Sequence, residues 1–400
     1  MPKNERKILL ILAAIQFLIF LDFELIMPLG AYIGPDLGVN ASQLGELVSA
    51  YTLAAMVGAF AYSRIADRLD KRATLDWMMS GLALGTLCCG LGHSYGQLLA
   101  ARLLAGIMAG PASAAILAIV SDVVPEERRG QGIGVVMGGY TVASVLGLPL
   151  SVYLAGLDGW RPPFIGLALI AALVIFIARM NLPEVPAHES VRIEDPKALP
   201  LWRQPTALLA WATMAVLMIG DFAFVPYLPT FLTANLGVDK AKLGLLYGAG
   251  GLTTLITFQF SGRLADRFGS FGVYAVFSVF ACAAIYTFFE LAPTPTPVAL
   301  AALLLASLFF FNAPRVLAGM TLLTKAVGPA QRGEFLSLQN VVQNGAVGLG
   351  SLMAAHLISG PAGGKIEGTW HLVALNWTAV TVAFFLIWHM ERRIGRDKPA

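Results

Sequence analysis

Apolar residues in this chain come in long unbroken runs rather than in strict alternation or heptads. About twelve such runs have a length near the roughly 20 residues that a helix needs to cross a hydrocarbon core. They fall near 8–30, 43–63, 73–92, 97–121, 131–156, 162–181, 205–232, 242–262, 271–291, 298–323, 333–358 and 370–390. The pattern predicts an all-α membrane protein with twelve transmembrane helices. The longest polar interval, Asn181 to Gln204, carries Pro183, Pro186, Pro196 and Pro200. It divides the chain into an expected N-terminal six-helix bundle over 1–181, a cytoplasmic linker over 182–204 and a C-terminal six-helix bundle over 205–400.

The two bundles read as copies of one unit, because several unlike residues recur at a single offset. Asp22-Phe23 returns as Asp221-Phe222, Leu37-Gly38-Val39 as Leu236-Gly237-Val238, and Ala66-Asp67-Arg68 as Ala265-Asp266-Arg267. Later pairs, such as Arg129-Gly130 and Arg332-Gly333, sit at a slightly longer offset. An even number of spans per copy gives both copies the same membrane orientation, the parallel repeat of a transporter built about an axis along the membrane normal.

Composition agrees with a lipid solvent: 57% of the 400 residues are hydrophobic and 13% charged, with a mean hydropathy of +0.72. A net charge of +3, scattered in short clusters, argues against nucleic acid as a partner. Lys3, Arg6, Lys7, Arg64, Arg68, Lys71, Arg72, Arg128, Arg129, Arg263, Arg267 and Arg392 all fall on the side of the termini, whereas Arg161, Lys240, Lys242 and Lys365 fall opposite. The positive-inside rule then places both termini in the cytoplasm. The basic start of the chain is followed by an apolar run that continues past Phe20 without a small-residue cleavage site, so it is read as a first span rather than a signal peptide. Cys88, Cys89 and Cys282 have no metal or disulfide spacing, so neither a metal nor a cofactor is expected.

The loop after the second span reads Ser63-Arg64-Ile65-Ala66-Asp67-Arg68-Leu69-Asp70-Lys71-Arg72, and its partner after the eighth reads Gly262-Arg263-Leu264-Ala265-Asp266-Arg267-Phe268-Gly269. Both resemble the G-x-L-A-D-R-x-G-R-R signature of the major facilitator superfamily, the first lacking both glycines and the second the trailing basic pair. The resemblance covers nearly the whole chain and implies the major facilitator fold, two pseudo-symmetric bundles of six helices. It also implies that Asp67 and Arg68, and by repetition Asp266 and Arg267, form a latch that holds the cytoplasmic side shut. An aspartate can meet the positive end of a helix and the arginines can pair across the bundles. The plainer alternative is a tight, positively charged turn.

The fifth span, Gly138-Gly139-Tyr140-Thr141-Val142-Ala143-Ser144-Val145-Leu146-Gly147-Leu148-Pro149, resembles the Gly/Pro motif of the proton-coupled antiporter branch, with Gly147 and Pro149 in place of an adjacent Gly-Pro. The stretch Gly159-Trp160-Arg161-Pro162-Pro163-Phe164 is similar to the G-W-R-x-x-F ending of bacterial drug and sugar exporters. Export is therefore expected over import, although small residues and proline also serve packing and bending alone.

Ionisable groups inside spans are costly and usually face a cavity. Asp22, Glu24, Arg102 and Asp221 are the candidates for proton coupling. Asp22 is preferred as carrier because Asp221 repeats it, and Glu24 points about 200° away from Asp22 on a helix. The alternative is that Asp22 and Asp221 cap helix ends broken near Pro28 and Pro226. Arg102-Leu103-Leu104-Ala105-Gly106 resembles the family's R-x-x-x-G fourth-helix motif, which implicates Arg102 in coupling. Arg315-Val316-Leu317-Ala318-Gly319 echoes it out of register, so Arg315 is read either as a group for an anionic part of the substrate or as paired with a neighbouring carboxylate or carbonyl.

In the eleventh span Gln339, Asn340, Gln343 and Asn344 share one helical face and line either a cavity or a helix interface. Gln16, Tyr51, Tyr140 and Asn312 complete the expected substrate-binding set, with Phe309, Phe310 and Phe311 close by in sequence. Nothing indicates an enzyme: the five histidines are isolated and no Walker loop is present. The expected protein is a proton-coupled exporter of small organic or amphipathic compounds, monomeric and multi-pass in a bacterial inner membrane, working by alternating access. A sugar or metabolite facilitator or symporter and a non-transporting membrane sensor of the same fold are the alternatives.

Overall fold

A computed structural model describes residues 3–125, 128–182, 200–323, 326–328 and 331–396. Most of the expected linker, 183–199, lies outside these residues. The described chain is helical almost throughout. Twelve helices carry the fold: α1 Lys3–Leu37, α2 Ala41–Ile65, α3 Lys71–Leu91, α4 Tyr95–Val123, α5 Arg129–Asp158, α6 Arg161–Asn181, α7 Pro205–Asn235, α8 Leu243–Phe268, α9 Ser270–Leu291, α10 Val298–Leu323, α11 Arg332–Leu357 and α12 Thr369–Arg396. All but α11 are both long and apolar enough to cross a membrane. Helix α11 has the length, but its amides lower its hydropathy.

Helix starts follow from local chemistry. Asn40 precedes α2 in a capping box, its side chain accepting from the Gln43 amide at 2.9 Å while the Gln43 side chain accepts from the Asn40 amide at 3.0 Å. Ser94 caps α4, and Asp70 caps α3 by accepting from the Ala73 amide at 2.6 Å. Two spans are irregular. Helix α5 widens to a π-turn over Ala143–Gly147 just before Pro149, which has no amide hydrogen to continue the ladder. The Ser151 hydroxyl donates to the Gly147 carbonyl at 2.8 Å and satisfies one of the loosened acceptors. Helix α7 breaks after Phe222, where Pro226 and Pro229 follow, and resumes through a short 3-10 turn.

Packing repeats between the halves. Helix α1 lies on α5 as α7 lies on α11, α2 on α4 as α8 on α10, and α3 on α4 and α6 as α9 on α10 and α12. The halves meet along two antiparallel seams, α2 with α11 and α5 with α8. Glycines set the close approach within and between halves. A Cβ on Gly106 of α4 would stand 2.1 Å from the Tyr51 carbonyl of α2, and one on Gly139 of α5 would stand 2.4 Å from the Ala13 carbonyl of α1. On the α2–α11 seam, a Cβ on Gly45 would meet the Tyr227 hydroxyl at 2.0 Å and the Ser351 carbonyl at 3.1 Å.

Both seams are packed on the side away from the chain termini. Gly45 touches Ala355, and Gly244 of α8 touches Pro149 and Tyr153 of α5. Towards the termini the seams part: a Cβ on Gly134, Gly138 or Gly262 would meet nothing within 4 Å, and Phe60 of α2 is 43% exposed. The space between the halves thus opens on the termini's side.

Candidate functional site

Between the halves lies a cavity of about 430 Å³, within the range of sites for drug-sized molecules. Eight helices line it. Glu24 comes from α1, Tyr51 and Thr52 from α2, Ser113 from α4, and Tyr140 and Ser144 from α5. The second half contributes Asp221 and Phe222 from α7, Tyr247 and Thr254 from α8, Phe309 and Asn312 from α10, and Asn340, Gln343 and Asn344 from α11. Helices α3, α6, α9 and α12 contribute none of these residues and pack outside.

Of the residues expected at a binding site, Tyr51, Tyr140, Asn312, Asn340, Gln343 and Asn344 are thus brought together. Gln16 is instead buried beside Tyr140, and Gln339 and Arg315 are buried outside the lining. Three of the four α11 amides reach the cavity, because a face four residues wide wraps too far round a helix for all of it to face one space. Asn344 donates to the Asn340 carbonyl and to the Asn340 side-chain oxygen, both at 2.9 Å. Tyr247, Thr52, Ser113, Ser144 and Thr254 are lining groups that sequence reasoning missed. Single hydroxyls in apolar spans commonly bond to the preceding turn, as Thr52 and Thr254 also do here, so their types alone give no signal.

Asp22 and Arg102 form a buried assembly behind the α1 wall rather than part of the lining. The Arg102 guanidinium donates to the backbone carbonyls of Asp22 at 2.8 Å and Phe23 at 3.1 Å, lies 3.6 Å from the Asp22 carboxylate and rests over the Tyr51 ring at 4.1 Å from its centroid. Asp22 accepts from the Thr86 hydroxyl at 2.7 Å through one oxygen, while its other oxygen has no hydrogen bond. In the second half Arg315 ion-pairs directly with Asp221 and donates to the Asn312 side chain at 2.5 Å. Each half thus sets an arginine of its fourth helix on an aspartate of its first. The aspartates follow the sequence repeat and the arginines do not: Arg102 sits near the start of α4, and Arg315 well inside α10. Neither aspartate side chain is occupied as a helix cap. Helix α1 runs unbroken through Pro28, and the Asp221 side chain is taken by Arg315.

Glu24 lines the cavity two residues beyond Asp22 and, among the described residues, has neither an ion pair nor a hydrogen bond. The expected divergence of these two carboxyls on the helix is what separates them here.

Gly147 and Pro149 serve different contacts. A Cβ on Gly147 would stand 3.0 Å from Leu21 of α1, whereas Pro149 lies on the α8 seam against Gly244 and Gly248. On the termini's side Arg68 ends a short 3-10 turn, whereas Asp266 and Arg267, expected in a loop, lie in the last turn of α8; all three are exposed, and no ion pair among the described residues joins them across the halves. Arg267 lies over the Phe268 ring. The side chain of Asp67 lies outside the described residues. Three ion pairs there lie within the first half: Lys71 to Asp122 at 2.5 Å, Arg179 to Asp76 at 2.7 Å and Arg128 to Glu5 at 3.1 Å. On the far side Asp36 ties α1 to α6, accepting from Trp160 at 2.9 Å and Arg161 at 2.7 Å, which gives the Gly-Trp-Arg ending a packing role.

Comparison with known proteins places this architecture. Among solved structures, a bacterial homologue of the human lysosomal transporter Spinster, inward-facing and occupied, superposes with a TM-score of 0.76 at 19% identity, covering 100% of this chain and 99% of that one. A D-xylose–proton symporter gives 0.73 at 16% identity, with 96% and 97% covered. Among curated sequences, the MFS-type transporter YceJ of Bacillus subtilis (strain 168) is 24% identical over 86% of this chain and 87% of its own length. The purine ribonucleoside efflux pump NepI of Escherichia coli (strain K12) is 26% identical over 57% of this chain and 56% of its own. The sequence profile of the Major Facilitator Superfamily matches residues 12–351. The chain is a multi-pass membrane transporter that belongs to the major facilitator superfamily.

Proposed function

We propose that this protein is a proton-coupled exporter of small organic compounds, working by alternating access in a bacterial inner membrane with both termini in the cytoplasm. The observation that carries the reading is the central cavity, set between seams that part towards the termini and flanked by a buried aspartate–arginine assembly in each half. A compound enters from the termini's side and binds between the halves. Rocking of the two bundles about the α2–α11 and α5–α8 seams then exposes it to the other side.

Coupling is assigned to Asp22. Its carboxylate has one oxygen without a hydrogen bond, and the facing guanidinium is already held by backbone carbonyls. Protonation removes the charge that faces Arg102, so the state of Asp22 changes how firmly α4 holds α1. That difference between the two protonation states is what coupling requires. Export is supported by the efflux role of the NepI relative and by the resemblance of the fifth span to the antiporter branch. A small molecule with polar edges and flat apolar faces suits the lining, which mixes amides with aromatic rings.

Accumulation assays test the direction. Cells expressing the protein should hold less of a transported compound than cells carrying Arg102→Ala, and a protonophore should erase the difference. Greater accumulation with the same protonophore sensitivity would make the chain a proton symporter.

A further inference from the structure

We propose that the compound bound in the central cavity is an organic cation, with Glu24 as its counter-ion. This rests on the reading of the cavity as the site of the transported compound.

Among the described residues, Asp22, Glu24, Arg102, Asp221 and Arg315 are charged groups within the membrane-spanning interior, and all but Glu24 are already matched. Arg102 is held by two carbonyls and faces Asp22, and Arg315 is held by Asp221 and Asn312. Glu24 is left with no partner among the described residues and lines the open space. An ionisable group at this depth with no protein partner is a functional group by default, because leaving its charge unmatched is costly. The surroundings suit a positive ligand. Phe20 and Tyr140 stand edge to face with centroids 4.3 Å apart, and Phe222, Tyr247 and Phe309 add further ring surface. Ring faces attract ammonium and other organic cations, most strongly where water is scarce. On the opposite wall Asn344 spends its amide hydrogens on Asn340, which leaves its own carbonyl oxygen as an acceptor for a cationic donor. An anion would meet Glu24 with both arginines already engaged. A neutral compound would leave Glu24 unmatched.

Shape-matched probes of opposite charge separate these cases. Binding of tetraphenylphosphonium and of tetraphenylborate is measured on the purified full chain in nanodiscs, with binding to protein-free nanodiscs subtracted. The wild type should prefer the phosphonium by about tenfold or more, a difference on the order of 1.4 kcal/mol. Glu24→Gln should abolish the preference and Glu24→Asp should keep most of it. A variant whose cavity had merely distorted would lose affinity for both probes in parallel and keep its preference. Equal affinities in the wild type, binding of neither probe, or a preference that survives Glu24→Gln would each overturn the proposal. If the cation preference fails while cells still export a neutral compound, the transport reading stands alone. If the preference is present and depends on Glu24 but nothing is moved, the site stands and the transport reading falls.

Discussion

Arg102 holds Asp22 chiefly by its backbone: the guanidinium is 2.8 Å from the Asp22 carbonyl and 3.6 Å from its carboxylate. The carboxylate can therefore change protonation without releasing the arginine from α1. Asp22→Asn keeps a side-chain oxygen for Thr86 and removes only the titratable charge. We expect it to abolish uphill transport in proteoliposomes under an imposed pH gradient while substrate binding persists. Unimpaired gradient-driven transport by the variant would exclude Asp22 and leave Glu24 as the carrier.

The second half differs, because Arg315 pairs with the Asp221 carboxylate itself. Removing one partner of a buried pair leaves the other charge unmatched, at a cost of about 3–5 kcal/mol. Arg315→Ala should therefore lower the thermal unfolding midpoint sharply, and Arg315→Met combined with Asp221→Asn should recover much of the loss. Equal destabilisation by the single and the double variant would show that the pair's charge balance is not what matters there.

A bulkier residue at Gly45 should act on one conformational state more than the other. Its added Cβ falls 2.0 Å from the Tyr227 hydroxyl across the packed end of the α2–α11 seam. Gly45→Val should therefore shift the population towards states open on the side away from the termini. Gly58→Val is the contrast, since its Cβ would strike the Ile107 carbonyl inside the first half at 2.2 Å and should destabilise every state. Spin-label distances across the seam on that side read the shift, and an unchanged distribution for Gly45→Val would contradict it.

The α5–α8 seam also predicts how the open side closes. Gly251 meets Ser144, and Gly244 and Gly248 meet Pro149, so each step along α8 is matched by an opposite step along α5. Continued at the same rate, the register sets Gly134 opposite Gly262, both now facing open space. With Cys88, Cys89 and Cys282 replaced, a Gly134→Cys/Gly262→Cys pair should cross-link only when the termini's side is shut. Failure to cross-link under any ligand or pH condition would mean that the seam closes in another register.

The helices were legible because a span must be an apolar run of near-fixed length, and the repeat was legible because unlike residues shared one offset. What lay hidden depended on direction. Gln16 and Gln339 were as polar as Asn340, yet the helix turns them away from the cavity. The Arg315–Asp221 pair was one of two alternatives for Arg315, because the arginine departs from the repeat that the aspartate keeps. A break was expected near both Pro28 and Pro226; α7 does break there, after Phe222, whereas α1 runs on through Pro28.

Compound and proton are proposed to move in opposite directions, the compound through the central cavity and the proton by way of Asp22 behind its α1 wall. The most direct measurement is proton movement in proteoliposomes loaded with a pH-sensitive dye, after adding a compound first identified by thermal stabilisation of the purified protein. The compound entering the liposomes should drive protons out, and Asp22→Asn should abolish the proton signal. Protons entering together with the compound, or no proton movement during measured transport, would contradict this exchange.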